Sequence, residues 1–234
     1  MIMKTYVILP KQFKTELPGK YKKDDNRFPE NYVEYFLKNY TKKGDLVLDI
    51  FAGLGTTLFV AEKMGRIPYG IEIVEERYQF IKERLENKEN IIHGDALKLL
   101  EYNIPKCDFC FGSPPFMQKN DPENPFTAYL KEGNYQLYLQ DFQKIFSQLK
   151  EIMKPNAIIA VDVANLKNEV REVTTLAWDV AKSISEVLHF LGEIVIIWES
   201  REGDTVDGRS EPWRVEGTFG YGYDHNYCLL FQNK

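Results

Sequence analysis

Ser113-Pro114-Pro115-Phe116 closes an apolar run, 107–112, that reads as a buried strand. Two adjacent prolines lack the N–H donors a ladder needs, so the chain must leave the sheet there in a rigid turn of fixed φ. A serine hydroxyl, bare backbone carbonyls and one aromatic ring are thereby held at the carboxyl edge of a sheet, where open α/β folds take their ligands. Such groups are suited to accepting hydrogen bonds from an exocyclic amino group and stacking on the ring that carries it. A turn that merely ends a strand is the plainer alternative.

A second motif weighs against the plainer one. Asp49-Ile50-Phe51-Ala52-Gly53-Leu54-Gly55-Thr56-Thr57 follows an apolar strand and opens a helix at Thr56. Glycines between strand and helix let the backbone approach a ligand, and the helix N-terminus offers free N–H groups. Gly70-Ile71-Glu72-Ile73 then ends the next strand on a carboxylate, the group that grips the two ribose hydroxyls of a nucleoside cofactor. The spacing is short for a dinucleotide fingerprint and the third glycine is missing, since Thr57 and Leu58 follow. This counts against NAD and leaves other adenosine cofactors open.

These motifs resemble the amino-methyltransferases that use S-adenosylmethionine to methylate N4 of cytosine or N6 of adenine. Their glycine loop reads Asp-Pro-Phe-x-Gly-x-Gly-Thr-Thr; here Ile50 replaces the proline. Phe28-Pro29-Glu30 resembles the segment that covers the methionine moiety, and Asp95-Ala96 the acidic position that meets the adenine amino group. Asp108 and Ser113, Pro114, Pro115 and Phe116 match the catalytic segment, and Met153-Lys154-Pro155-Asn156 resembles the turn before the fifth strand. The resemblance runs from about Arg27 to the C-terminus. It implies S-adenosyl-L-methionine as cofactor, held by Phe28, Pro29, Asp49, Phe51, Ala52, Gly53, Gly55, Thr56, Thr57, Glu72, Asp95 and Ala96. Asp95 has a second reading of nearly equal weight, as the N-cap of a short helix. Serine at the head of the catalytic turn resembles the cytosine-N4 enzymes more than the adenine-N6 ones. Carbon-5 methylation needs a cysteine in the turn itself, and Cys110 lies inside the strand.

The elements that position these groups alternate strand with helix, the mark of an α/β fold. Strands are expected at 45–51, 67–73, 90–93, 107–112, 157–163, 193–199 and 226–232, and helices at 29–40, 56–64, 75–87, 135–153 and 168–191, with a short one after Asp95. Seven strands with a late terminal one fit the Rossmann-like class I methyltransferase sheet, mostly parallel with helices on both faces. The chain reads as a basic arm, 1–27, followed by one methyltransferase domain, 28–234.

Composition narrows the setting. A length of 234 residues suffices for one full core. No apolar stretch reaches membrane-spanning length, and Lys4 interrupts any leader-like region at once. Three cysteines give no disulfide framework, which suits a reducing cytoplasm; Cys107-x-x-Cys110 without a second pair reads as two buried strand residues, so no metal is expected. The net charge of -5 argues against a general nucleic-acid coat. Local basic strips remain. Lys20, Lys22 and Lys23 lie in the arm, and Arg201, Arg209, Trp213 and Arg214 in a late loop. Basic residues beside aromatics suit a phosphate backbone with unpaired bases, although a solvated tail explains the arm almost as well. With no separate recognition domain to be found in the sequence, structured RNA, ribosomal RNA above all, is the favoured partner. A DNA cytosine-N4 or adenine-N6 methyltransferase and a non-catalytic cofactor-binding subunit are the alternatives.

Overall fold

The computed structural model of the protein describes residues 4–10, 13–22, 27–127, 130–167, 172–199 and 225–234. Its elements are β1 (Tyr6–Pro10), α1 (Gly19–Lys22), α2 (Glu30–Tyr40), β2 (Leu46–Asp49), α3 (Thr56–Lys63), β3 (Ile67–Glu72), α4 (Glu75–Lys82), β4 (Ile91–His93), β5 (Cys107–Gly112), α5 (Tyr135–Ile152), β6 (Met153–Val163), β7 (Leu166–Lys167), β8 (Val173–Thr174), α6 (Leu176–Ser185), β9 (His189–Glu199) and β10 (His225–Gln232). Three short 310 turns lie between them.

Eight strands form one sheet in the order β1-β9-β10-β6-β5-β2-β3-β4. Only β10 runs antiparallel to its neighbours, β6 and β9. This is the class I methyltransferase sheet with one strand added at its edge. Buried on both faces, the central strands read as continuous apolar runs, as parallel sheets require. On one face Tyr32, Val33, Phe36 and Leu37 of α2 pack on Phe109 and Phe111 of β5. On the other, Tyr138, Phe142, Phe146 and Leu149 of α5 and Leu176, Val180 and Ile184 of α6 close the core. Their three- and four-residue spacing gives each helix a single apolar face. The order reverses at β2, which lies between β3 and β5, so the carboxyl ends of β2 and β5 border a crevice of the kind that binds nucleotides.

Several expectations are corrected. The sheet has an eighth strand, β1, which pairs in parallel with β9 from Tyr6↔Val195 to Pro10↔Glu199. It is a half-exposed edge strand among lysines, so its short apolar run resembles a tail. Leu17 and Tyr21 of the arm are buried with Ala52, Leu54, Phe80 and Ile81. Of the helix expected at 168–191, the described residues form α6, Leu176–Ser185. The β-branched pair Val173-Thr174 joins an antiparallel ribbon with Leu166-Lys167 instead, and the Asn165 side chain accepts the Ala177 N–H at 3.0 Å to start the helix late. The helix expected at 75–87 stops at Lys82, because the Glu86 N–H turns to Glu62 and Asn87 caps a 310 turn. Trp178 on α6 is 46 % exposed.

Candidate active site

The glycine loop is organised by two buried carboxylates. Asp49 ends β2 with 1 % exposure, and its Oδ1 accepts the Phe51 N–H at 2.9 Å. A Cβ at Gly112 would lie 2.5 Å from that same oxygen. Residue 112 is therefore glycine so that the ends of β2 and β5 can meet around Asp49, one residue before Ser113. Burial pushes the Asp49 carboxyl up to about 7, the Phe51 N–H pulls it partly back, and the nearby Glu72 charge adds to the rise. Glu72, 5 % exposed at the end of β3, accepts the Gly53 N–H at 2.7 Å and the Val74 N–H at 2.8 Å. Burial raises its carboxyl too, against those two N–H groups and Arg77. Gly53 sits at φ 57°, and the nearest atom to where a side chain would begin is 3.8 Å away, so its face is open. Gly55 at φ 81° is different: a Cβ there would meet Ile81 and Phe59 at 2.9 Å. One glycine opens a cradle and the other lets α3 pack. Thr56 and Thr57, at the start of α3, are buried beneath the loop.

The remaining expected cofactor residues surround this loop. Asp95 Oδ1 accepts the Leu97 N–H at 2.9 Å, which makes it the N-cap of the 310 turn Ala96–Glu101. The N-cap reading therefore holds. Ala96, the first residue of that turn, is buried. Pro29 precedes α2 at φ −66°, and Phe28 packs edge-on to Tyr32 and Phe111. Phe51 stacks on Phe126 at 5.8 Å, and Ala52 is buried. The open face of Gly53, between strand ends that each carry a buried acid, suits the approach of a nucleoside cofactor with a cationic amino-acid tail. S-adenosylmethionine has that chemistry. Among the described residues no three His, Cys, Asp or Glu side chains gather to hold a metal, and all three cysteines are buried and free.

At the turn that follows β5 the Ser113 hydroxyl donates to the Asp162 backbone carbonyl at 3.2 Å. The Tyr138 hydroxyl takes the Pro115 carbonyl at 2.8 Å, and among the described residues nothing donates to the Pro114 carbonyl. Phe116 is partly buried against the α5 side of the core, and Met117 after it is fully buried. The 117–134 loop carries Phe126 back under the site, 4.9 Å from the Tyr138 ring.

The basic arm is engaged with the protein itself. Lys20 pairs with Glu76 at 2.6 Å and Lys22 with Glu16 at 3.6 Å. The Glu30 carboxylate accepts the N–H groups of Lys14 and Thr15, and Tyr21 packs on Phe80, so residues 13–22 run as a strap beside the glycine loop. Lys23, Arg201, Arg209, Trp213 and Arg214 lie outside the described residues.

Sequence reasoning missed Tyr32, Tyr138, Asp162 and Asn226. Asp162 alone gave a signal, an acid in the middle of an apolar strand, which must be satisfied from elsewhere in the fold.

Residues 7–83 match the model of the N6/N4 DNA methylase family. Over that segment the chain is similar to the N4/N6 amino-methyltransferases. The matched region includes the strap, α2, the glycine loop and Glu72. Curated relatives agree: the chain is 42% identical over 50 residues to the type II methyltransferase M.BglII of Bacillus subtilis, covering 21% of this chain and 14% of that one. It is 49% identical over 64 residues to M.BamHI of Bacillus amyloliquefaciens, 27% of this chain and 15% of that one. The matched stretch is thus under a quarter of the length of these relatives. Solved structures support the fold. TrmN from Thermus thermophilus superposes with a TM-score of 0.58 at 15% identity, over 94% of this chain and 54% of that one. A SAM-dependent methyltransferase from Archaeoglobus fulgidus does so with 0.54 at 16%, over 90% and 97%.

Proposed function

We propose that the protein is an S-adenosylmethionine-dependent methyltransferase of exocyclic amino groups in nucleic acid, with N4 of cytidine in structured, ribosomal RNA as acceptor. One observation carries this reading. The Ser113 hydroxyl has given its hydrogen to the Asp162 carbonyl, so its oxygen offers a ligand only lone pairs. The Pro114 carbonyl beside it is an acceptor as well. Two acceptors side by side match the two N–H groups of one aromatic amine.

Such an amine is a poor nucleophile because its lone pair is conjugated with the ring. Hydrogen bonds accepted by Ser113 Oγ and Pro114 O draw the nitrogen towards a free lone pair. Phe116 stacks on the base once it has left its helix or loop. S-adenosylmethionine, when bound, supplies an already activated methyl group on a sulfonium. Positioning by the turn and the glycine loop then supplies most of the acceleration. Asp49, Glu72 and the loop glycines hold the nucleoside and its cationic tail, with Asp95 at the base, Phe28 and Pro29 over the methionine part, and Thr56 and Thr57 under the loop. No dedicated base is required, since the methylated ammonium releases its proton readily. Lys20, Lys22, Lys23, Arg201, Arg209, Trp213 and Arg214 are assigned to the nucleic acid, with Lys20 and Lys22 exchanging their acidic partners for phosphate.

A DNA acceptor is the second reading, favoured by the description of the matching family as DNA methylase. The test is transfer of labelled methyl from S-adenosylmethionine to unmodified ribosomal subunits, total RNA and genomic DNA in separate reactions, followed by nucleoside mass spectrometry. Label in N4-methylcytidine or N4,N4-dimethylcytidine is expected. Label confined to deoxynucleosides moves the acceptor to DNA. No label in any amino group, from a protein that binds the cofactor, defeats the enzymatic reading in favour of a binding subunit.

A further inference from the structure

We propose that the buried carboxylate of Asp162 is a positioning residue that holds Ser113 as a pure hydrogen-bond acceptor; this rests on the amino-methyltransferase reading. Asp162 is the penultimate residue of β6, within the otherwise apolar run Ile158-Ile159-Ala160-Val161-Val163, and is 3 % exposed. An apolar side chain would fill the site with less loss of hydration, because a buried carboxylate must be satisfied by several donors merely to break even. The fold goes to some length to satisfy this one. Tyr32 Oη, from α2, donates to Oδ1 at 2.9 Å. Asn226 Nδ2, from β10, donates to Oδ1 at 3.1 Å and Oδ2 at 3.2 Å. Asn226 is itself held by the Trp198 indole N–H of β9 at 3.4 Å.

These groups come from three elements, and all converge on the residue whose backbone carbonyl receives the Ser113 hydroxyl. A serine hydroxyl turns freely and can donate or accept. If its hydrogen faced the base, Ser113 would repel the amine N–H instead of accepting it. Clamping the Asp162 side chain fixes the peptide that follows it, hence the direction of the carbonyl, hence the serine rotamer. The same cluster ties the acceptor side to Tyr32, one turn from Phe28 and Pro29 on the cofactor side.

The test compares the full-length protein with Asp162→Asn, Tyr32→Phe, Ser113→Ala and the double variant Asp162→Asn/Ser113→Ala. Turnover, acceptor KM, S-adenosylmethionine affinity by calorimetry and thermal midpoint are measured for each. Asp162→Asn is expected to lower kcat at least tenfold with acceptor KM and cofactor affinity within about twofold of the wild type. Tyr32→Phe, which removes one donor and keeps the ring, is expected to lower kcat severalfold in the same pattern. In the Ser113→Ala background Asp162→Asn should cost almost nothing further, because a residue acting through Ser113 has no path left. Additive losses would mean a merely structural role and overturn the proposal. So would wild-type turnover in a folded Asp162→Asn. If Asp162→Asn does not fold, unchanged turnover in Tyr32→Phe overturns it. A wild type that transfers methyl to no amine removes the reading beneath it, an outcome distinct from any of these.

Discussion

Gly53 and Gly55 share the left-handed backbone conformation yet should fail in opposite ways when replaced by alanine. A non-glycine residue there costs about 1–2 kcal/mol, partly offset by about 0.4–1 kcal/mol of lost freedom in the unfolded chain. For Gly53→Ala this backbone cost is the whole cost, since the nearest atom to the new Cβ is the Phe51 carbonyl oxygen at 3.8 Å. About 1 kcal/mol in a chain of this size lowers the thermal midpoint by roughly 2–4 °C. Gly55→Ala adds contacts of 2.9 Å with Ile81 and Phe59. Overpacking of that kind costs about 1–3 kcal/mol more, so the midpoint should fall roughly three times as far. Cofactor affinity should rank the other way. The Gly53 methyl would stand in the open cradle and weaken S-adenosylmethionine binding at least about tenfold, or 1.4 kcal/mol. Differential scanning calorimetry and isothermal titration on both variants read the two effects separately. Normal cofactor binding by Gly53→Ala would refute the placement of the cofactor on this loop.

The stability of the protein should fall as pH rises from about 5 to 7. The carboxyls of Asp49 and Asp162 are raised by burial from 3.8 to about 7 and about 6, so in that window the native state holds protons the unfolded chain has already lost. Thermal midpoints at constant ionic strength should therefore be higher at pH 5 than at pH 7.5, and Asp49→Asn should flatten the slope; a slope that is the same in Asp49→Asn rules the assignment out. Tyr138→Phe removes the 2.8 Å bond to the Pro115 carbonyl and should cost about 1–3 kcal/mol, with a loss of methyl transfer larger than any loss of cofactor affinity. Denaturant melts and initial rates check it, and an unchanged rate would show that the turn stands without its tyrosine. Arg66 donates to the carbonyls of Leu37, Thr41 and Met64 and to the Thr41 hydroxyl, all within 3.0 Å, at the end of α2. Arg66→Lys keeps the charge but not the planar fork and should cost about 2–3 kcal/mol in urea unfolding, whereas a neutral result would assign the helix end to packing alone.

The parts of this molecule that could be read from the sequence are those that local chemistry dictates. Gly53, Gly55 and Glu72 announce a nucleotide loop because few other arrangements need that spacing, and Pro114-Pro115 must end a strand wherever they occur. The core strands 107–112 and 67–72 were legible as short, largely apolar runs bounded by these signals. What escaped depends on partners far along the chain. β1 is a strand only because β9 offers it an edge, and Tyr32 looks like one more aromatic on a helix until β6 brings Asp162 to it. The lysines of the arm show the same division from the other side. Their charge is evident in the sequence, but Glu76 and Glu16, which meet Lys20 and Lys22, are placed by the fold.

The edge strand has a consequence for how the chain acquires its shape. Tyr6 to Pro10 leave the ribosome long before their hydrogen-bonding partners, Val195 to Glu199. Closing so long a loop adds little to the equilibrium cost but slows assembly, because the non-local pairing rewards nothing until both strands exist. β10 inserts between β6 and β9 later still. The nascent nucleotide-binding half, β2 to β6, must therefore persist with an open sheet edge beside β6 while β9 and β10 are synthesised. During that interval the unpaired edge and the waiting apolar residues of β1 make the half-built protein most open to aggregation, and docking of β1 is among the final events of folding.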